Sequence, residues 1–123
     1  MRKVVLVFLF AVVFLCGCDK EISVVKVDQE QAMQYLEEGA LLIDVRSESE
    51  FDTGHIDGAI NIDVNYILEF DTDLTYGNKS IGKNRKIIVY CRSGSRSNKA
   101  ALKLIELGYT QVYDLGAMDN WSE

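Results

Sequence analysis

The stretch IIVYCRSGSRSNKAALKLIELG, residues 87–108, decides the fold that we expect for this chain. It opens with an apolar, β-branched run, which predicts a buried strand over residues 86–90 with Cys91 directly after it. The alanine- and leucine-rich segment of residues 97–107 predicts a helix. Because only the polar segment CRSGSRS separates the strand from the helix, Cys91 is expected at the carboxyl edge of an open α/β sheet, where ligands usually bind.

Strand and helix signals alternate along the rest of the chain. Further strands are predicted at residues 24–27, 40–45, 59–62 and 111–115, and further helices between Asp28 and Gly39, from Ser47 to near Phe51, and over residues 64–70. Strands separated by helices of this length indicate one α/β domain over residues 24–123. We expect a central, mostly parallel five-stranded sheet flanked by helices on both faces.

Capping residues define two of the helix starts. Asp28 with Gln31, and Ser47 with Glu50, have the spacing of a capping box, in which two side chains satisfy free N–H groups of the first turn. The first helix is expected to turn four apolar side chains towards the core. These side chains are Ala32, Met33, Tyr35 and Leu36.

Residues 71–84 are polar and contain two glycines, which predicts a surface loop. Asp71 and Asp73 suggest a calcium-binding loop at first sight. The segment lacks the glycine at the sixth position and the glutamate at the twelfth that such a loop needs. No metal site and no cofactor are therefore predicted.

The N-terminal segment MRKVVLVFLFAVVFLCGC starts with basic residues and continues as an apolar run too short for the roughly 20 residues of a membrane-spanning helix. Its end, LCGC, resembles a bacterial lipobox, which implies a signal peptide over residues 1–17 and a lipid anchor on Cys18. Residues 18–23 would tether the domain to the extracytoplasmic face of a bacterial membrane, on the periplasmic side of the inner membrane in a two-membraned cell. An ordinary cleaved signal and an uncleaved anchor are the alternatives.

Charge and cysteine content limit the partners and the chemistry. The 123-residue chain has a net charge of −6, and removal of Arg2 and Lys3 with the signal peptide leaves −8, so nucleic acid is not an expected partner. Of the three cysteines, the lipobox resemblance implies that Cys16 would leave with the signal peptide and that Cys18 would become a thioether. Cys91 then remains as the sole thiol, without a partner for an internal disulfide.

The residues after Cys91 are suited to binding an anion. Backbone N–H groups before and within the first helical turn lack helical partners and can converge on one point, where the helix macrodipole adds positive potential. Arg92 and Arg96 add charge, so the Cys91 thiol should ionise more easily than a free cysteine, whose pKa is about 8.5. The candidate catalytic residue is Cys91. The candidate substrate-binding residues are Arg92, Ser93, Gly94, Ser95, Arg96 and Ser97.

Two other interpretations of this segment stay open at this point. A single cysteine after a β-branched strand is often a small buried hydrophobic residue. The loop could also be an anion-binding nest without catalysis, for which Cys91 would be unnecessary.

Several separate blocks, in order, resemble the rhodanese domain, a single-cysteine sulfurtransferase. They are LLIDVRSESEFDTGHIDGAINI and KIIVYCRSGSRSNKAALKLIELGYTQVYDLGAMDNW, and together they extend the likeness over nearly the whole mature chain. The resemblance implies an α/β fold with a central parallel sheet and a persulfide carried on Cys91. Two positions depart from the family pattern, since Asp57 stands where proline is common and Ala117 where a second glycine is common.

The length of the loop separates two chemistries within this resemblance. The spacing from Cys91 to Arg96 is Cys-x4-Arg, as in sulfur-transferring members, whereas related phosphatases and arsenate reductases resemble Cys-x5-Arg. We therefore expect transfer of sulfane sulfur from thiosulfate or a related anionic donor to a thiol, sulfite or cyanide, by a ping-pong mechanism through the Cys91 persulfide. The alternatives are a non-catalytic sulfur carrier or anion-binding module and, less favoured, a phosphatase-like or arsenate-reductase-like enzyme.

Three further polar residues are interpreted as structural. Asp44 and Arg46 follow a buried strand and are expected to form a buried ion pair or cap that supports the loop, with Arg46 a second choice for the pocket rim. His55 follows a glycine in a turn and is expected to make a structural hydrogen bond rather than act as a base.

Overall fold

The computed structural model describes residues 22–123, with a five-stranded parallel sheet at its centre and a separate two-stranded hairpin. The strands are β1 (Val25–Lys26), β2 (Leu41–Asp44), β3 (Ile60–Asn61), β4 (Thr75–Tyr76), β5 (Lys79–Ser80), β6 (Lys86–Cys91) and β7 (Gln111–Ala117). The helices are α1 (Gln29–Glu37), α2 (Glu48–Asp52), α3 (Val64–Glu69) and α4 (Ser95–Glu106), and a 3-10 helix follows at Met118–Asn120. Within residues 22–123 no helix is long and apolar enough to cross a membrane. The predicted signal peptide, Cys18 and all but the last two residues of the tether lie outside the described residues.

The strands of the central sheet follow the order β1-β7-β6-β2-β3, and each neighbouring pair is parallel. This order confirms the predicted α/β fold. β6 lies in the middle, and residues 87–91 have no exposed surface. A central strand covered on both faces needs no alternation of polar and apolar residues, which explains the continuous apolar run that precedes Cys91.

Successive side chains of β6 point to hydrophobic clusters on opposite faces of the sheet. Val89 and Cys91 belong to the cluster that contains Leu104 of α4. Tyr90 belongs to the opposite cluster, which contains Ala32 of α1. Helices therefore cover both faces, as predicted, and Cys91 lies on the α4 face.

Both predicted N-caps are confirmed, and the reciprocal contacts of a capping box are present at the second. The Asp28 carboxylate accepts a hydrogen bond from the N–H of Gln31 at 2.9 Å at the start of α1. Ser47 and Glu50 form a reciprocal capping box at the start of α2, because each side chain accepts a hydrogen bond from the other's N–H. The capping box orients the Glu50 side chain at the first turn of α2. Glu50 contacts the two arginines of the segment CRSGSRS, residues 91–97, which is called the Cys91 loop below.

The prediction that Met33 faces the core is wrong. Met33 is 47% exposed, whereas its neighbour Ala32 is fully buried. A helix turns by about 100° per residue, so the residue next to the buried position faces away from the sheet. Trp121 packs against the hydrophobic cluster that contains Ala32 and Tyr90, and it lines a shallow groove beside Met33.

The surface-loop prediction for residues 71–84 is wrong in part, because the segment contains the antiparallel hairpin of β4 and β5. Leu74 and Ile81, on either side of the hairpin, are buried in the α4-side cluster. The buried Tyr109 hydroxyl accepts a hydrogen bond from the N–H of Leu74 at 2.7 Å and donates one to the carbonyl of Ile81 at 3.0 Å. Two apolar anchors and one distant tyrosine thus hold a polar segment against the domain.

Replacing Tyr109 by phenylalanine should destabilise the fold. Tyr109→Phe leaves the backbone groups of Leu74 and Ile81 without their buried partner, which we expect to lower the free energy of unfolding by about 1–3 kcal/mol in urea denaturation. The matched control is Tyr76→Phe, since the Tyr76 side chain is exposed, and its effect should stay within about 0.5 kcal/mol. Equal effects of the two substitutions would contradict this account of the segment.

Candidate active site

Cys91 is the last residue of the central strand β6, at the carboxyl edge of the sheet. The helix α4 begins at Ser95, two residues earlier than predicted, so the connection between strand and helix is short. Gly94 is the residue before the helix and has φ +105°, a conformation that side-chain-bearing residues rarely adopt. This glycine lets the chain turn sharply back over the end of β6.

The sharp turn directs backbone N–H groups at the Cys91 sulfur. Gly94 N lies 3.0 Å from Cys91 Sγ and Ser97 N lies 3.3 Å from it, both as hydrogen-bond donors. The Ser97 hydroxyl donates to the Gly94 carbonyl at 3.1 Å, which closes the loop across its base. The predicted convergence of N–H groups is therefore present, and its focus is the sulfur atom.

Two opposing effects set the acidity of the Cys91 thiol. Burial raises its pKa, because it penalises the charged thiolate. Hydrogen bonds from Ser97 and from the N–H groups of Gly94 and Arg96 lower the pKa by more, so the thiol is more acidic than an ordinary cysteine. The site therefore favours the thiolate, which is the nucleophilic form of cysteine.

Both arginines of the loop lie against the carboxylate of Glu50, which sequence reasoning treated only as a helix cap. Arg96 donates two hydrogen bonds, from Nη1 to Oε1 at 2.8 Å and from Nη2 to Oε2 at 3.1 Å. Arg92 Nη2 donates to Oε2 at 3.2 Å. The hydrogen bonds from Arg96, then those from Ser47 and Arg92, hold the pKa of Glu50 far below its usual range. The sequence around Glu50, the block EFDTGH, gave no indication of this contact.

The predicted buried ion pair is present directly beneath this edge. Arg46 donates from Nη2 to Asp44 Oδ2 at 2.7 Å and from Nε to Asp44 Oδ1 at 3.0 Å, and both side chains are buried. Arg46 Nη2 also donates to the Gly54 carbonyl at 2.7 Å. Because Arg46 is buried and paired in this way, the alternative prediction that it lies at the rim of the pocket is wrong. The Asn61 amide donates to the carbonyls of Asp44 and Arg46, a contact that sequence reasoning missed.

The remaining predicted residues have different surroundings. Ser93 and Ser95 are exposed on the outer side of the loop. His55 Nδ1 lies 3.0 Å from the carbonyl oxygen of Phe51, and the two rings stack with their centroids 3.7 Å apart. These contacts agree with a structural role for His55. Ala117 pairs with Cys91 across β6 and β7 and has an ordinary φ of −80°, so this position does not need a glycine.

A cleft of about 410 Å³ adjoins the site at the ends of β3 and α2. The acidic residues that line this cleft are Glu48 and Asp63, and its aromatic residues are Tyr66 and Tyr76. Asp63 is close enough to Arg96 to help raise the pKa of that arginine, after Glu50. Within residues 22–123 no group of three or more histidine, cysteine, aspartate or glutamate side chains is placed to hold a metal ion.

An α/β sheet that presents one cysteine of lowered pKa in a loop of N–H donors at its carboxyl edge is typical of cysteine-dependent group-transfer domains. Residues 28–123 match the Rhodanese-like domain family. The chain belongs to this family.

Similar proteins and structures extend this finding. A sulfurtransferase of Allochromatium vinosum is 32% identical over 100 residues, which cover 79% of this chain and 87% of that protein. The chloroplastic thiosulfate sulfurtransferase 16 of Arabidopsis thaliana is 34% identical over 91 residues, 69% of this chain and 76% of that protein. An adenylyltransferase and sulfurtransferase of Candida albicans is 36% identical over 85 residues, 68% of this chain, which amount to only 19% of that longer protein. The human single-domain sulfurtransferase TSTD1 superposes with a TM-score of 0.67 at 28% identity, over 78% of this chain and 93% of that chain.

The acidity of Cys91 can be measured by its alkylation rate. The thiolate reacts and the thiol does not, so the rate of modification by iodoacetamide should rise with pH to a plateau, with an inflection below the value of about 8.5 for a free cysteine. Ser97→Ala removes one of the groups that lower this pKa and should move the inflection to higher pH. An inflection at or above about 8.5 in the unaltered protein would contradict the described electrostatics.

Proposed function

We propose that this protein is a sulfurtransferase that moves sulfane sulfur from thiosulfate or a related donor to a thiophilic acceptor through a Cys91 persulfide. The observation that carries the proposal is the pair of N–H hydrogen bonds to Cys91 Sγ, from Gly94 and Ser97. These donors stabilise a negatively charged sulfur at the end of a buried strand. The names of the similar proteins from Allochromatium and Arabidopsis support the same chemistry.

In the first half-reaction, the Cys91 thiolate attacks the outer sulfur of the donor. For thiosulfate, a new bond forms between Cys91 Sγ and the outer sulfur, and the bond to the sulfonate sulfur breaks. The electron pair of the broken bond leaves with sulfite, so the products are a Cys91 persulfide anion and sulfite. No general base is needed when the thiolate is already formed, which the lowered pKa of Cys91 favours.

In the second half-reaction, an acceptor takes the outer sulfur from the persulfide. A thiolate, sulfite or cyanide forms a bond to that sulfur while the bond to Sγ breaks, and the electron pair returns to Cys91 as the thiolate. The two half-reactions share one covalent intermediate. Plots of the reciprocal rate against the reciprocal donor concentration, at several fixed acceptor concentrations, should therefore be parallel lines.

The geometry of the loop favours sulfur over phosphorus. Six residues of the loop run from Cys91 to Arg96, and the loop's N–H groups point at the sulfur atom at hydrogen-bond distance. Cys91 has no exposed surface, so a bulky tetrahedral phosphate centre would need a wider opening than a terminal sulfur atom. Because the loop is tight around Sγ, phosphatase chemistry is the weaker candidate.

Intact mass measurement tests the proposal. The fragment of residues 22–123, treated with thiosulfate and desalted, should gain the mass of one sulfur atom, lose it on addition of cyanide, and release thiocyanate. Cys91→Ser should neither gain sulfur nor transfer it, while Ser80→Ala, at an exposed position of β5 outside the Cys91 loop, should retain both. Transfer by Cys91→Ser would refute the mechanism, and loading without release would favour the sulfur-carrier alternative.

We also propose that Cys18 carries the lipid anchor and places the domain at the extracytoplasmic face of a bacterial membrane. The LCGC motif supports this assignment. The mature N-terminal peptide should begin with an acylated Cys18, and Cys18→Ser should move the protein out of the membrane fraction. A mature chain that retains residues 1–17, or an unmodified Cys18, would contradict the proposal.

A further inference from the structure

Glu50 occupies the cationic groups that an anionic sulfur donor would use. Its carboxylate accepts hydrogen bonds from Arg96 at 2.8 and 3.1 Å and from Arg92 at 3.2 Å. A carboxylate paired with the two terminal nitrogens of one guanidinium has the strong, directional geometry of bidentate recognition. A donor that binds these arginines must therefore compete with a carboxylate fixed within the same protein.

The position of Glu50 makes this competition persistent. The capping box with Ser47 fixes the side chain at the first turn of α2, with Ser47 N and Oγ donating to Oε1 at 3.1 and 3.0 Å. The Glu50 and Arg96 side chains are 24% and 36% exposed, so solvent screens this pair only in part, whereas Arg92 is 64% exposed and makes the weaker contact. The carboxylate thus needs little further ordering to hold the arginines.

The charge balance of the site follows from these contacts. With Cys91 as thiolate, the two negative charges of Cys91 and Glu50 equal the two positive charges of Arg92 and Arg96. Asp63 adds negative charge near Arg96, in the adjoining cleft. The formal charges of these five side chains therefore sum to −1, which leaves the loop N–H groups as the positive groups of the site. Each additional negative charge on the donor should then make approach less favourable.

We propose that Glu50 is a specificity-determining residue that keeps Arg92 and Arg96 occupied, so that the site takes sulfur from singly charged sulfane donors in preference to dianions. The inference rests on the proposed sulfurtransferase function and narrows its donor class. Donors of the favoured class include persulfides and thiosulfonates, which carry one negative charge on the terminal sulfur. Thiosulfate carries two charges and belongs to the disfavoured class.

The reaction balances for both classes of donor. A thiosulfonate gives its outer sulfur to the Cys91 thiolate, the sulfur–sulfur bond breaks, and the electron pair leaves with a sulfinate. Thiosulfate reacts in the same way and releases sulfite. Since bond making and bond breaking are equivalent, the two donors differ chiefly in the charge that must approach the site and leave it.

The experiment compares thiosulfate with methanethiosulfonate in the unaltered protein and in Glu50→Gln. The rate of the first half-reaction is measured for each donor as the second-order rate of persulfide formation. Glutamine retains the size of Glu50 and an oxygen for the capping box, but removes the charge that holds the arginines. Comparing the ratio of the two rates between the variant and the unaltered protein cancels the intrinsic reactivity of the donors and any common change in the acidity of Cys91.

In Glu50→Gln, the rate with thiosulfate should rise relative to that with methanethiosulfonate by about fivefold or more, because the released arginines favour the dianion. Glu48→Gln is the matched control, since it removes one charge from the same helix, and its ratio should change by less than about twofold. Glu50→Asp, which retains the negative charge, should keep the ratio near that of the unaltered protein.

An unchanged ratio in Glu50→Gln, or an equal change in Glu48→Gln, would overturn the assignment of Glu50 while leaving sulfur transfer intact. Failure of the unaltered protein to accept sulfur from either donor would instead overturn the proposed function. The urea midpoint of each variant shows whether it is folded. If Glu50→Gln is unfolded, the unaltered protein still decides: rising ionic strength should increase the rate with thiosulfate relative to that with methanethiosulfonate, and a decrease would overturn the proposal.

Discussion

The pair of N–H hydrogen bonds to the Cys91 sulfur depends on where the central strand ends. β6 is buried on both faces and fixed by neighbours on both edges, so its last residue has little freedom. Gly94 then turns the chain back with a positive φ, and α4 begins with its free N–H groups near the sulfur. A thiolate in this position exchanges the hydrogen bonds of water for fixed donors, which offsets the cost of its burial.

Two carboxylate–arginine pairs organise the surroundings of this sulfur. The buried pair of Asp44 and Arg46 joins the end of β2 to the turn at Gly54. The more exposed contacts of Glu50 join α2 to the Cys91 loop. The first pair is enclosed by protein and stabilises the edge of the sheet. The second pair remains within reach of solvent and ligands, so it can respond to an incoming anion.

The errors of the sequence predictions share a physical cause. The polar composition of residues 71–84 indicated a surface loop, but the buried anchors Leu74 and Ile81 are sparse, and their partner Tyr109 is far away in sequence. Met33 was assigned to the core from its apolar character, although a helix that rests on a sheet buries only a narrow face. In each case the outcome depended on contacts between distant segments, which a local pattern does not contain.

By itself, the sequence determined the order along the chain of helices α1 to α4 and of the five strands of the central sheet, the capping of α1 and α2, and the placement of Cys91 at the carboxyl edge. It also predicted the buried pair of Asp44 and Arg46. These features follow from local periodicity, from side chains three residues apart, and from the rule that parallel strands end at a common edge. Only the tertiary structure decided which groups face the sulfur and that Glu50 lies against both loop arginines. The reason is that Glu50 lies 42 and 46 residues before Arg92 and Arg96 in the chain and meets them only when the sheet is assembled.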